Sequence, residues 1–248
     1  MSDLLYGIHP VYEALVAGRR KFKTLYISKN RKTKVIETLL EKARSQGVPI
    51  QYKEPGYFRS HLGSSVHQGV AAEVWGLPLV DEGTILKKAE TESELPLILA
   101  LDGIVDPQNL GSIIRTALAM GVHGIILPKA RSAPLSPAVS KASAGAMEHI
   151  LIARVSNLVA ALKGLKKAGL WVMGTAVRSG KRLDEADLNT GLVIVIGGED
   201  QGIRPLVQKT CDYLVCIPQM KAIDSLNASV AAAIVLYEIG RQRKTYQV

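Results

Sequence analysis

The chain has 248 residues, with 47% apolar and 21% charged side chains, 22 glycines and 11 prolines. That composition excludes global disorder, collagen and coiled coil. The longest apolar run, around residues 228–236, falls short of the roughly 18 residues a membrane span needs, and MSDLLYGIHP lacks the basic and apolar regions of a secretory signal. Two cysteines, Cys211 and Cys216, make no disulfide framework, so a soluble cytoplasmic protein with no membrane partner is expected. Lys and Arg total 31 against 22 Asp and Glu, a net charge of +9 that favours a polyanionic partner through counterion release. With only 5% aromatic residues, a base-stacking platform is not expected.

Residues 1–76 read as a small α/β unit. A short helix over 9–16 is followed by a strand over 22–28 (FKTLYIS) and a helix over 34–46, where Val35, Ile36, Leu39, Leu40 and Ala43 recur at helical spacing before Gly47. A strand over 50–53, a short helix near 57–62 and a strand over 69–75 complete the unit. The first 80 residues carry 12 basic and 6 acidic side chains. The excess centres on Arg19, Arg20, Lys21, Lys23, Lys29, Arg31, Lys32 and Lys34, a cluster of the kind that is usually a solvated face and that also suits tracking phosphates. Residues 77–95 are acidic and read as a linker with one or two helical turns. From Pro96 to the end, strands and helices alternate as a second domain over 96–248. Strands fall at 97–101, 124–128, 151–155, 170–176, 192–197 and 213–217, and helices at 110–120, 137–148, 158–168, 205–211 and 226–243. Near-continuous apolar strands such as LVIVIGG predict a parallel sheet covered on both faces.

Ligands of such sheets bind in the loops at the carboxyl ends of the strands. Three of these loops hold polar residues in excess of what turns need. DGIVDPQNLGSIIR carries Asn109, Gly111 and Arg115; IGGEDQGI carries Gly197, Gly198 and Glu199; IPQMKAIDSLNAS carries Ser225 and Asn227. Each has a plain structural use. Asn109 and Ser225 suit helix N-caps, the glycines suit strand ends, and Glu199 suits a helix start. It is the presence of all three loops, in this order, that argues for a site. No G-x-G-x-x-G follows a strand and no G-x-x-x-x-G-K-[ST] occurs, so a dinucleotide or P-loop nucleotide is not expected. His9, His61, His67, His123 and His149 are scattered, and none stands at metal-ligand spacing from a cysteine, so no metal is expected.

The three loops together resemble the motifs of the SpoU (TrmH-type) RNA ribose 2′-O-methyltransferases. They do so through N-x-G-x-I-x-R in Asn109–Arg115, G-x-E-x-x-G in Gly197–Gly202, and I-P…S-L-N-x-S-x-A from Ile217 to Ala231. GIHPVYEAL near the start and HQGVAAEV at 67–74 are similar to the small RNA-binding domain of the RlmB-like subgroup, which methylates a guanosine of large-subunit (23S) rRNA. The resemblance implies an α/β fold with an L30e-like N-terminal domain and a C-terminal trefoil-knot (SPOUT) domain. In such a knot the third motif threads an earlier loop, an exception to unknotted topology. It also implies a homodimer, rRNA as partner, and S-adenosylmethionine (SAM) as donor. The donor pocket would be formed by Thr175, Gly197, Ile217 and Leu226, and the catalytic cluster by Asn109, Arg115, Glu199, Ser225 and Asn227.

In-line transfer from a sulfonium to a 2′-OH needs alignment and a means to manage the hydroxyl proton. The family's proposed base is the arginine at the position of Arg115. A guanidinium stays protonated in proteins, so a clamp on a flanking phosphate suits it better. Gln219 and Lys221 stand where the family carries methionine and glycine, a departure on the donor side of the third motif. A tRNA-directed relative and a non-catalytic assembly factor are the alternatives. The separate N-terminal domain argues against the first, and the intact cluster against the second.

Overall fold

A computed structural model describes residues 2–31, 33–63, 66–177, 179–199, 201–220 and 225–245. It resolves into two compact units, Met1–Pro78 with Pro134–His149, and Leu79–Ala133 with Ile150–Val248.

The first unit is built on a four-stranded sheet. In chain order its elements are β1 (Ser2–Tyr6), α1 (Ile8–Ala17), β2 (Phe22–Ser28), α2 (Lys34–Ser45), β3 (Ile50–Lys53), α3 (Pro55–Leu62) and β4 (Val70–Trp75). The sheet order is β1-β4-β2-β3, with β4 antiparallel to both neighbours and β2 parallel to β3. Helix α2 begins on Thr33, whose side chain accepts the Ile36 N–H, and buries Ile36, Leu39, Leu40 and Ala43 against Leu25, Ile27 and Val74 of the sheet. The strand β1 is not predicted by the sequence pattern; its five residues pair with β4 at the sheet edge, a partnership that no local period announces.

The segment Pro134–His149 is fastened into this unit by a buried ion pair. The Arg20 side chain is fully buried. Its Nε and Nη2 donate to the two carboxylate oxygens of Glu148 at 2.7 and 3.2 Å, and Nη1 donates to Asp3 Oδ2 at 2.8 Å. Ser140 Oγ adds a third donor to Glu148 at 3.0 Å. Arg19 donates to the carbonyls of Glu148 and Pro78. A phosphate-tracking role for the cluster is therefore corrected at two positions: Arg19 and Arg20 hold the fold together, whereas the adjacent Lys21 is exposed. The helix expected over 137–148 is also interrupted. It runs as α6 over Pro137–Ala142, then Ala144 (φ 51°) and Gly145 (φ 89°) turn left-handed before a 3₁₀ turn over Ala146–Glu148. A Cβ at Gly145 would lie 2.6 Å from the Glu13 side chain, so glycine is required where the chain passes α1.

The second unit holds α4 (Glu82–Glu92), β5 (Leu97–Asp102), α5 (Pro107–Ala119), β6 (Gly124–Pro128), β7 (Leu151–Val155), α7 (Leu158–Lys167), β8 (Trp171–Ala176), β9 (Lys181–Arg182), β10 (Leu192–Gly197), α8 (Pro205–Gln208), β11 (Tyr213–Cys216) and α9 (Ala228–Arg243). The seven strands are all parallel in the order β7-β6-β5-β10-β8-β11-β9. Every residue of β5 is buried, as are five of the six in β10, which is the burial that near-continuous apolar strands require. The stretch expected to be mainly linker instead forms a three-turn helix, α4. Asp81 caps it, and its two buried residues, Ile85 and Ala89, are too few to make a clear period in an acidic segment. The order β5-β10-β8 sets the ends of β5 and β10 side by side, with Gly197 in register with Asp102.

Arg20→Ala is expected to lower the unfolding free energy by about 3–5 kcal/mol, because it leaves Glu148 buried without its counter-charge. Denaturant unfolding measures this, and a loss below about 1 kcal/mol would mean the pair does not fasten the segment.

Candidate active site

Helix α5 starts on Asp106, whose carboxylate accepts the N–H groups of Gln108 and Asn109 at 3.1 and 3.2 Å. Helix α9 starts on Asn227, whose Oδ1 accepts from the Ser229 N–H at 2.9 Å and the Ser229 hydroxyl at 2.6 Å. The cap positions are thus Asp106 and Asn227, not Asn109 and Ser225, and the Asn109 side chain is left to reach across the sheet.

The chain between β10 and α8 is pressed against the end of β5. A Cβ at Gly197 would lie 2.2 Å from the Gly202 carbonyl carbon, and one at Gly198 would lie 2.4 Å from the Gly103 oxygen. Two glycines are therefore a steric requirement here. Asp102, fully buried, pins the far side of this loop: its carboxylate accepts the Arg204 backbone N–H at 2.9 Å and the Arg204 Nε at 2.7 Å. Held in this way, Glu199 presents Oε1 to two amides. Asn109 Nδ2 donates to it at 2.6 Å and Asn227 Nδ2 at 2.5 Å, while the second N–H of Asn227 donates to Asn109 Oδ1 at 3.0 Å. Three loops expected to share a site meet on one carboxylate oxygen.

Two cavities flank that oxygen. The larger, about 480 Å³, is lined by all four expected donor-pocket residues, Thr175, Gly197, Ile217 and Leu226, together with Ser225, Gln219 and Glu199. The smaller, about 350 Å³, is lined by Asp102, Asp106, Asn109, Arg131, Glu199 and Arg204 among others. The walls share Gly198, Glu199, Gln201 and Gly202. Arg131 and Arg204 carry no motif signal. Arg131 stands in a loop with left-handed backbone (φ 56°), and the burial of its neighbour Ala133 gives no hint of a cavity. Lys221 lies outside the described residues.

Arg115 stands apart from this cluster. It follows Asn109 by six residues, about 240° round the helix and about 9 Å along it. It is exposed, and its side chain has no hydrogen-bond or ion-pair partner among the described residues.

The profile of the SpoU rRNA methylase family matches residues 96–237, and that of the RNA 2′-O ribose methyltransferase substrate-binding domain matches residues 4–78. The chain belongs to the SpoU rRNA methylase family. Among relatives of this family member, the 23S rRNA (guanosine-2′-O-)-methyltransferase RlmB of Pseudomonas putida is 40% identical over 98% of this chain and 99% of its own. That of Coxiella burnetii is 39% identical over 97% and 96%. Among solved structures, the SpoU methyltransferase AviRb of Streptomyces viridochromogenes in complex with AdoMet superposes with a TM-score of 0.83 at 26% identity, covering 99% of this chain and 92% of that one. The AdoMet-bound rRNA methyltransferase of Sinorhizobium meliloti gives 0.79 at 26%, covering 97% and 87%.

A lone thiol and one cluster of titratable groups do not make a second chemistry in this SpoU chain. Burial pushes the Cys211 thiol up to about 11, so it carries no thiolate at neutral pH. Among the described residues, Glu92, Glu94 and His123 are the one trio close enough to offer three ligands to a metal. His123 Nδ1, however, accepts the Leu97 N–H at 3.1 Å, which leaves the ring proton on Nε2, facing Glu94 at 3.4 Å. A metal would need the lone pair that this proton occupies.

Asn227→Ala removes both the α9 cap and the Nδ2 donor, and is expected to cost about 1 kcal/mol of stability. Asn227→Ser restores a cap hydroxyl and should recover that loss to within a few tenths of a kcal/mol. Equal stability of the two variants in thermal unfolding would deny Asn227 its capping role.

Proposed function

We propose that the chain transfers a methyl group from SAM to the ribose 2′-OH of a guanosine in 23S rRNA. The observation that carries this reading is the convergence of Asn109, Glu199 and Asn227 on the partition between two cavities. The near-full-length likeness to enzymes named for that reaction supports the choice of substrate. Residues 1–76 would engage the RNA and residues 96–248 would carry the chemistry. Residues 77–95 would join them. A cytoplasmic location accords with this reading, and among the described residues no helix is long and apolar enough to cross a membrane.

The 480 Å³ cavity is sized for the donor. Its wall residues Thr175, Gly197, Ile217 and Leu226 would hold the donor largely through backbone groups, and SAM supplies an electrophilic methyl on sulfur. The 350 Å³ cavity takes the acceptor nucleotide; Arg131 on its wall meets the phosphates, while Arg204 stays tied to Asp102. The Glu199 carboxylate fixes the orientation of both asparagine amides, and with Ser225 they align the 2′-OH toward the larger cavity. Arg115 clamps a flanking phosphate and offers positive charge to the developing oxyanion. It reaches the acceptor from a second copy of the chain. Helix α9, which packs on α5, exposes Val230, Ile234 and Tyr237 at helical spacing, an apolar stripe that a homodimer would cover.

Incubation with methyl-labelled SAM and unmodified 23S rRNA should place label in alkali-resistant dinucleotides, because a 2′-O-methyl blocks alkaline cleavage. Label recovered only in mononucleotides, or none, would overturn the reading. Arg115→Ala should cut transfer by at least about 100-fold while SAM affinity stays within about twofold. The reverse pattern would reassign Arg115 to the donor side.

A further inference from the structure

Two motifs of the first unit, GIHP and HQG, do not enter the active site, yet they meet. Gln68 Oε1 accepts the Ile8 N–H at 3.2 Å and a hydrogen bond from Lys141 Nζ at 3.1 Å. Lys141 Nζ lies 2.6 Å from where a Gly7 Cβ would stand, and Arg31 Cγ lies 2.9 Å from where a Gly69 Cβ would stand. Glycines in both motifs therefore make room for cations from elsewhere in the chain. At the centre is His67, stacked on buried Phe58 at 5.1 Å with its Nδ1 accepting the Gly69 N–H at 3.0 Å. Burial lowers its proton affinity first, and then Arg31, Arg59 and Lys141 lower it further; no carboxylate opposes them.

Four other basic residues of the unit are already engaged. Arg19 and Arg20 are tied into the fold, Lys23 pairs with Glu73 at 3.0 Å, and Lys29 pairs with Glu54 at 2.6 Å. Among the described residues, the Arg31 and Arg59 side chains have no hydrogen-bond or ion-pair partner, and Lys141 Nζ has only the neutral Gln68. Three charges from three chain segments are gathered without a counter-charge, which costs repulsion unless an anion arrives.

Helix α3 supplies a second feature, joined to His67 through Phe58, whose ring meets that of Tyr57 edge-on at 5.6 Å. Tyr57 stacks on exposed His61 at 4.1 Å, with Tyr26 at 5.2 Å, and Lys53 Nζ lies 5.1 Å from the Tyr57 ring. The low aromatic content argues against such a group, but the fold brings Tyr26, Tyr57 and Phe58 together here. We infer that the α3 face of the first unit docks unpaired nucleotides of the substrate RNA, with phosphates on Arg31, Arg59 and Lys141 and a base against the Tyr57–His61 stack. This rests on the reading that the enzyme acts on RNA.

The test uses the full-length protein and an rRNA hairpin with an unpaired loop, with binding followed by fluorescence anisotropy across a salt titration. Replacing both Arg59 and Lys141 by Ala should reduce the slope of log K against log salt by about 1.4, that is, about 0.7 per contact with single-stranded phosphate. Tyr57→Ala should weaken binding by about fivefold or more and leave the slope unchanged. The control pair Lys42→Ala with Arg44→Ala, on α2, should change neither, and thermal unfolding of the full-length variants with wild-type midpoints would show each one folded. A wild-type slope in the Arg59/Lys141 variant, an equal drop in the control pair, or tighter binding to a duplex would overturn the inference. If the wild type still methylates RNA, that result refutes the docking face alone. If the wild type neither binds nor methylates RNA, the functional reading fails with it.

Discussion

The site depends on a single acceptor atom. Glu199 Oε1 takes amide donors from the first turn of α5 and from the cap of α9, which tie the ends of three chain segments far apart in sequence. Charge-assisted hydrogen bonds of this kind are short and directional, so they set side-chain rotamers as well as adding stability. Everything around the carboxylate serves its placement. The β5-β10 adjacency brings the loops together, Gly197 and Gly198 allow the backbones to touch, and the buried Asp102 holds the loop's far end through Arg204. Asn227 has two duties in one side chain: its oxygen caps a helix and its nitrogen joins the cluster. The residue is thereby fixed before any substrate arrives, which is the condition for orienting a hydroxyl without reorganisation.

The first unit is organised around a different electrostatic logic. One set of basic residues is buried or paired and gives cohesion, as with Arg20 against Glu148 and Asp3. Another set, Arg31, Arg59 and Lys141, is left uncompensated around His67. A net charge of +9 therefore says little by itself. What matters is which cations have carboxylate partners in the fold, and those partners lie up to 128 residues away in the chain.

This explains how much can be read from the residues alone. The parallel sheet is legible because strands buried on both faces must be apolar throughout, as Leu192–Gly197 is. The Asn109, Glu199 and Asn227 set is legible through motifs that resemble the family's, and Thr175, Gly197, Ile217 and Leu226, which that resemblance implies for the donor, line one cavity beside it. The edge strand β1, the helix α4 with two buried residues, and the break at Ala144–Gly145 are not, since tertiary pairing and packing decide each. Arg131 and Arg204 escape for a similar reason: a cavity wall assembled from several loops leaves no local pattern.

If one carboxylate organises the site, its partners must act as a unit. The most direct measurement is a double-mutant cycle of Glu199→Ala and Asn227→Ser on single-turnover methyl transfer, the serine keeping the α9 cap intact. The account predicts strong non-additivity, with the double variant within about threefold of the slower single variant. Losses that multiply would show that Glu199 and Asn227 work independently, and would contradict it.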